Sequence, residues 1–192
     1  MRLRRAGHVV TQPLNCGVMR PDLLIRRGAR GDASCLSALS TQVWLHTYAT
    51  EGIRPAIAQY VEEHLSPNAF ALQLERLEFL FLVAEVDGNL VGYASGKAGA
   101  PCPVRSAVTA CLDKLYVSEH FHGVGIGRGL LSRLRAELVP LVGNDALWVA
   151  VNSGNLKAQR FYERQGLRDI GTTYFDLYGE KHENRVLCTA DA

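Results

Sequence analysis

The sequence concentrates its chemistry in the stretch from Leu115 through Val117 to Leu131, where a β-rich run passes into His122-Gly123-Val124-Gly125-Ile126-Gly127-Arg128-Gly129 and then into a helical pattern. At the start of a helix the first N–H groups have no partner within the helix, and they converge on a point where an anion can sit. Glycine lacks Cβ, so anion oxygens can approach its backbone closely. These are the marks of a phosphate-binding turn. Two common versions fail on spacing. A Walker loop needs Lys after its second glycine, and none follows here; a dinucleotide fingerprint needs a third glycine where Arg128 or Leu130 stands. A tight glycine-rich turn with no ligand remains the structural alternative.

A second stretch follows downstream, Asn152-Ser153-Gly154-Asn155-Leu156-Lys157-Ala158-Gln159-Arg160-Phe161-Tyr162-Glu163-Arg164-Gln165-Gly166-Leu167. Together the two runs resemble the GCN5-related N-acetyltransferase (GNAT) superfamily. Its signature is Gln/Arg-x-x-Gly-x-Gly/Ala, followed by Asn-x-x-Ala-x-x-Phe-Tyr-x-x-x-Gly-Phe. His122 stands for the usual Gln or Arg, and Leu167 for the final Phe. The resemblance spans about Leu23 to Leu187. It implies acetyl-CoA as cosubstrate and an amine as acceptor. By resemblance His122, Gly123, Gly125, Gly127 and Arg128 hold the pyrophosphate, Leu115 and Val117 offer backbone groups to the pantetheine arm, and Asn155 contacts the cofactor.

The same resemblance makes Tyr162 the general acid. Transfer of an acetyl group from a thioester to an amine expels a thiolate, and a positioned phenol can protonate it. A core aromatic packed beside Phe161 is the competing account of Tyr162. Asn155 is equally explained as a helix cap. An alkylamine with a pKa of about 10 is neutral in only about one molecule per thousand at pH 7, so its proton needs an acceptor. In bacterial ribosomal-protein N-terminal acetyltransferases a glutamate on the strand before the Asn motif takes it; Ala150 occupies that position here. Glu85 and Asp113 are the substitutes, against the alternative of ion pairs or a solvated strand face.

The acceptor wall should come from the first helices. Val43-Trp44-Leu45-His46-Thr47-Tyr48, with Tyr174-Phe175 and Gly179-Glu180, loosely resembles the spermine/spermidine acetyltransferase subgroup, which implies a polyamine-like acceptor near Trp44, Tyr48 and Glu85. Trp44 and Tyr48, four apart, also fit a helical core stripe. A coenzyme A-binding regulatory module, a protein N-terminal acetyltransferase and transfer of a longer acyl group are the rival readings.

Leu23–Arg27 reads as a strand, and Asp32 as the N-cap of a helix over Cys35–Tyr48. A second helix covers 54–65 and stops before Pro67. Phe79–Val86 and 90–95 form a hairpin through Asp87-Gly88-Asn89, and 96–106 reads as a loop. A strand over 109–117 should splay from one over 146–151, leaving a cleft. Helices over 128–139, ended by Pro140, and 156–165, closed by Gly166, complete the pattern with one or two C-terminal strands. The expected fold is α/β: one GNAT-type domain over 21–192, a mixed, mostly antiparallel central sheet of six to seven strands, helices on both faces, and a flexible tail over 1–20.

Composition agrees with this and excludes other classes. The 192 residues suit one domain, with 47% hydrophobic and 21% charged residues. Four of the 21 basic residues lie in the acid-free first twenty positions, so the net charge of +2 leaves the rest slightly acidic and unsuited to nucleic acid. The five cysteines have neither disulfide nor zinc spacing. No run is long and apolar enough for a membrane span. A cytoplasmic enzyme with no metal is expected, with homodimerisation through an exposed edge strand as one option.

Overall fold

A computed structural model describes residues 23–143 and 146–189; the expected tail over 1–20 lies outside them. The strands β1 (Leu23–Arg27), β2 (Phe79–Val86), β3 (Asn89–Lys97), β4 (Ala110–Val117), β5 (Leu147–Asn152), β6 (Leu167–Leu177) and β7 (Glu180–Thr189) form one sheet in the order β1-β2-β3-β4-β5-β7-β6. All neighbours are antiparallel except β4 and β5. Among the described residues no helix is long and apolar enough to cross a membrane.

Helices α1 (Ala33–Tyr48), α2 (Pro55–His64) and α3 (Pro67–Leu74) cover one face of the sheet; α4 (Ile126–Val142) and α5 (Leu156–Arg164) cover the other. Alternation along β2 shows why. Leu80, Leu82 and Ala84 join Leu130, Leu134 and Leu138 of α4, while Phe81 and Val83 join Leu36, Trp44 and Phe70 of the opposite layer. A strand buried on both faces must be apolar at every position, which is how Phe79–Val86 reads. The hairpin turns on Asp87 and Gly88, both at positive φ (50° and 76°), the two-residue geometry that matches strand twist.

The structure corrects four local expectations. Pro67 does not simply end a helix: Ser66 accepts from the Ala69 N–H, and Pro67 opens α3, which the sequence reading lacked. Pro140 lies inside α4 rather than after it. Gly96 belongs to β3, not a loop; a Cβ there would stand 2.6 Å from Leu138 Cδ2, so the missing side chain lets α4 settle onto the sheet. Asp32 occupies the N-cap position of α1 but makes no cap bond; its carboxylate instead accepts from the Ala29 N–H and from both terminal nitrogens of Arg26, and this pairing holds it below the usual carboxylate range.

The ladder between β4 and β5 is short. Only Ala110, Cys111 and Leu112 pair, with Leu147, Trp148 and Val149, after which the strands part. On its other side β4 stays paired with β3 through a bulge: Ser95 faces Lys114 and Gly96 faces Leu112, so Asp113 is the extra residue. The bulge shifts the alternation. Ala110, Leu112, Leu115 and Val117 all pack on the α4 side, and Tyr116 packs toward α1 and α2.

Candidate active site

The opening between β4 and β5 has two sides with different chemistry. On the α4 side, Gly125 is the N-cap of α4 at φ +93°, a backbone conformation that favours glycine, and no atom lies within 4 Å of where its Cβ would stand. The first backbone bond of the helix runs from the Gly129 N–H to the Gly125 carbonyl, 3.0 Å. The N–H groups of Ile126, Gly127 and Arg128 are therefore left without helical partners, at the positive end of the helix dipole. Gly123 is likewise open, and Gly127 lies against Phe161, whose ring would be 3.6 Å from its Cβ. A groove of about 710 Å³ beside α4 is lined by Arg128, Ser132, Arg135 and Gln165, among others.

His122 does more than replace a motif residue. Its Nε2 lies 2.9 Å from the Val117 carbonyl and its Nδ1 lies 2.9 Å from Lys157 Nζ. A carbonyl can only accept and an ammonium can only donate, so the ring carries its proton on Nε2. His122 thus ties the end of β4 to the first turn of α5. Asn155 caps that helix, its Oδ1 accepting from the Ala158 N–H at 3.0 Å. Tyr162, one turn from the end of α5, is buried in the core below the opening with the Phe161 ring at 5.2 Å; burial pushes its phenol well above the ordinary range, so it holds its proton.

On the other side, Trp44 is buried and stacked between Tyr48 (4.8 Å) and Tyr60 (4.4 Å). It supports the wall rather than forming its surface. Tyr48 is half-buried and lines the same cavity as Asn152 at the end of β5, and its phenol is raised mainly by burial and less by Tyr60. Burial, and secondarily Asp113, raise Tyr60 to about 12. Asp113 accepts from Ser95 (3.2 Å) and Lys114 (2.5 Å). A cavity of about 270 Å³ opens at this end, lined by Thr47, Tyr48, Thr50, Glu51, Gly52, Arg54, Asn152 and His182.

Glu85 is not in this group. It is bonded to Arg26 (2.5 Å), which also holds Asp32, and β3 and β4 separate it from the opening. The structure therefore brings together Leu115, Val117, His122, the glycines, Arg128 and Asn155 around one opening, sets Tyr162 beneath it and Tyr48 across it, and leaves Glu85 outside. Asn152 and His182 were missed as site residues. The only signal for Asn152 was its place three residues ahead of the Asn motif, and His182 had none.

A seven-stranded sheet split between two parallel strands, with a helix N-terminus at the split, defines an α/β protein built to hold an extended ligand with an anionic end. The sequence model described as "Acetyltransferase (GNAT) family" matches residues 44–167. An uncharacterized N-acetyltransferase of Mycobacterium tuberculosis is 36% identical over 128 residues, covering 67% of this chain and 77% of its own. The "Probable spermine N(1)-acetyltransferase" of Bacillus subtilis subsp. natto is 30% identical over 70 residues, 36% of this chain and 45% of its own. Among solved structures, the PaiA N-acetyltransferase of Thermoplasma acidophilum in complex with coenzyme A shares the fold, with a TM-score of 0.71 at 20% identity over 88% of this chain and 98% of that one. The chain belongs to the GNAT family of acetyltransferases and is an acetyl-CoA-dependent N-acetyltransferase.

Proposed function

We propose that the enzyme transfers the acetyl group to a primary amine on a small molecule, a polyamine-like cation above all, by direct attack with both substrates bound. The observation that carries this is the cleft itself: the β4–β5 ladder stops after three pairs, with free helix N–H groups on one side and an aromatic, acid-bearing cavity on the other. Strands that part leave unpaired backbone groups, and a pantetheine arm can pair with them as an added strand would. In this reading Leu115 and Val117 offer those groups. Gly123, Gly125, Gly127 and Arg128 receive the pyrophosphate, and the Arg128 and Arg135 side of the groove suits the anionic nucleotide end.

The acceptor enters between Tyr48 and the end of β5. Aromatic faces and the Asp113 carboxylate favour a cation over a neutral amine. The neutral amine attacks the thioester carbonyl, the C–N bond forms as the C–S bond breaks, and Tyr162 gives its proton to the sulfur. The partial match to a relative named for spermine acetylation supports a polyamine. The test is thiol release from acetyl-CoA with a panel of amines, alongside calorimetric binding of coenzyme A. Release with di- and polyamines but not with peptides carrying a free N-terminus is the expected result. Tight coenzyme A binding with no release from any amine would overturn it in favour of a regulatory module.

A further inference from the structure

Two buried side-chain atoms on β7 have no hydrogen-bond partner, His182 Nε2 and Asn184 Oδ1. An unsatisfied buried polar atom is costly, and in a native site it marks a group kept for something else. Both residues lie on the same face of the strand. Val186 and Cys188 continue their phase into the cluster with Trp148 and Cys102, whereas the intervening Leu187 points into the α4 core. The His182 ring meets Tyr48 edge-on at 6.0 Å and Phe175 at 6.3 Å, which places it on the acceptor side of the sheet.

The ladder explains why this nitrogen is free. Asn152, the last residue of β5, pairs with Asn184, and Ser153 still bonds the Glu183 carbonyl, so His182 lies two residues beyond the last ladder pair, where it lines the cavity with Tyr48 and Asn152. Alternate residues of a strand are about 6.6 Å apart along the backbone, a spacing at which side chains on one face can share a ligand. A primary amine has N–H groups to give to two acceptors at once. The nearest charged partner of His182 Nε2 is Glu180 Oε2 at 3.8 Å, inside ion-pair reach but too long for a hydrogen bond.

We infer that His182 is the general base of the reaction, its Nε2 taking the proton from the acceptor ammonium while Asn184 Oδ1 orients the nitrogen. This rests on the amine-acetylating reading above. The balance is direct. The ammonium gives one proton to His182. The resulting amine attacks the acetyl carbonyl, the C–S bond breaks with its electron pair on sulfur, and Tyr162 protonates the thiolate. The second nitrogen proton returns to the Tyr162 oxygen through solvent, and the His182 proton leaves to bulk water. Glu180, itself bonded to Arg54 at 2.6 Å, stands where it stabilises the imidazolium. The other groups facing the ring are Tyr48 from α1, Phe175 from β6, and Glu51 and Arg54 from the α1–α2 connection. The assignment also accounts for Ala150: the base sits one strand over, on β7 rather than β5.

The test compares wild type with His182→Gln, using one alkylamine that the wild type acetylates. The variant should lose about 30-fold or more in kcat/KM at neutral pH, within the range of general base catalysis, with coenzyme A affinity unchanged. Because the same amine is used, its own ionisation cancels in the ratio of wild-type to variant kcat/KM. That ratio should fall toward one as the pH is lowered, the signature of a removed proton acceptor. His182→Asn provides a second variant if Gln impairs folding, and circular dichroism with a melting curve establishes that each is native. A loss below about threefold, or a ratio that does not change with pH, overturns the assignment while leaving the amine reading intact. No turnover by the wild type with any amine overturns both.

Discussion

The two sides of the β4–β5 opening are built on different principles. The α4 side presents backbone: free N–H groups at a helix start, glycines that leave room, and strand edges without partners. The α1–β7 side presents side chains, Tyr48, Asn152, Asp113, His182 and Asn184, drawn from four separated segments. Backbone recognition requires particular residues only where a side chain would intrude, so it leaves a compact glycine pattern. Side-chain recognition can be assembled from any segments the fold brings together. One half therefore leaves a compact pattern in the sequence and the other leaves none.

Four substitutions break or sharpen that contrast. The largest effect is expected from Tyr162→Phe, which removes the proton donor without changing volume much: kcat should fall about 100-fold or more with coenzyme A affinity held, as steady-state kinetics and calorimetry can check. Unchanged turnover would return Tyr162 to a purely core role. Gly125→Val comes next. A branched side chain at φ +93° is strained by about 1–2 kcal/mol and projects into the anion cradle, so coenzyme A affinity should drop about 100-fold while circular dichroism stays native. An affinity within a few-fold of wild type would mean that the α4 start does not hold the phosphates.

Tyr48→Phe probes the opposite side. Losing a phenol that lines the cavity removes one polar contact for the acceptor, about 1 kcal/mol, so the KM for the amine should rise about fivefold while that for acetyl-CoA stays put. A rise in both would erase the division between the halves. Asn155→Ala has the smallest effect on chemistry: removing the α5 cap should cost about 1 kcal/mol of stability, read as a lower melting temperature. A larger fall in coenzyme A affinity than in stability would give Asn155 a ligand role besides capping.

What the sequence disclosed follows the same division. Strands β2 and β3, their Asp87-Gly88 turn, and the α4 and α5 helices were legible because periodicity and turn chemistry are local. Pro67 misled because proline breaks a helix from within yet starts one at its first position, and only the Ser66 cap separates the two cases. Gly96 looked like loop because the Leu138 side chain that requires its bareness comes from a helix far along the chain. Glu85 looked available because its partner, Arg26, belongs to the other end of a strand pairing. His182 carried no pattern at all; its meaning depends on the β5 ladder ending two residues short of it, a fact of topology that no local window contains.

The bulge at Asp113 has a further consequence. It works like a frameshift in the middle of β4: residues before and after it are read onto the two faces in opposite parity. Deleting Asp113 alone would remove the bulge and restore regular alternation, with Leu112, Leu115 and Val117 still among the α4 residues and Tyr116 still on the α1 side. The strand therefore has one residue to spare, and only a second deletion would turn Leu115 and Val117 toward Tyr48 and put Tyr116 among the α4 leucines.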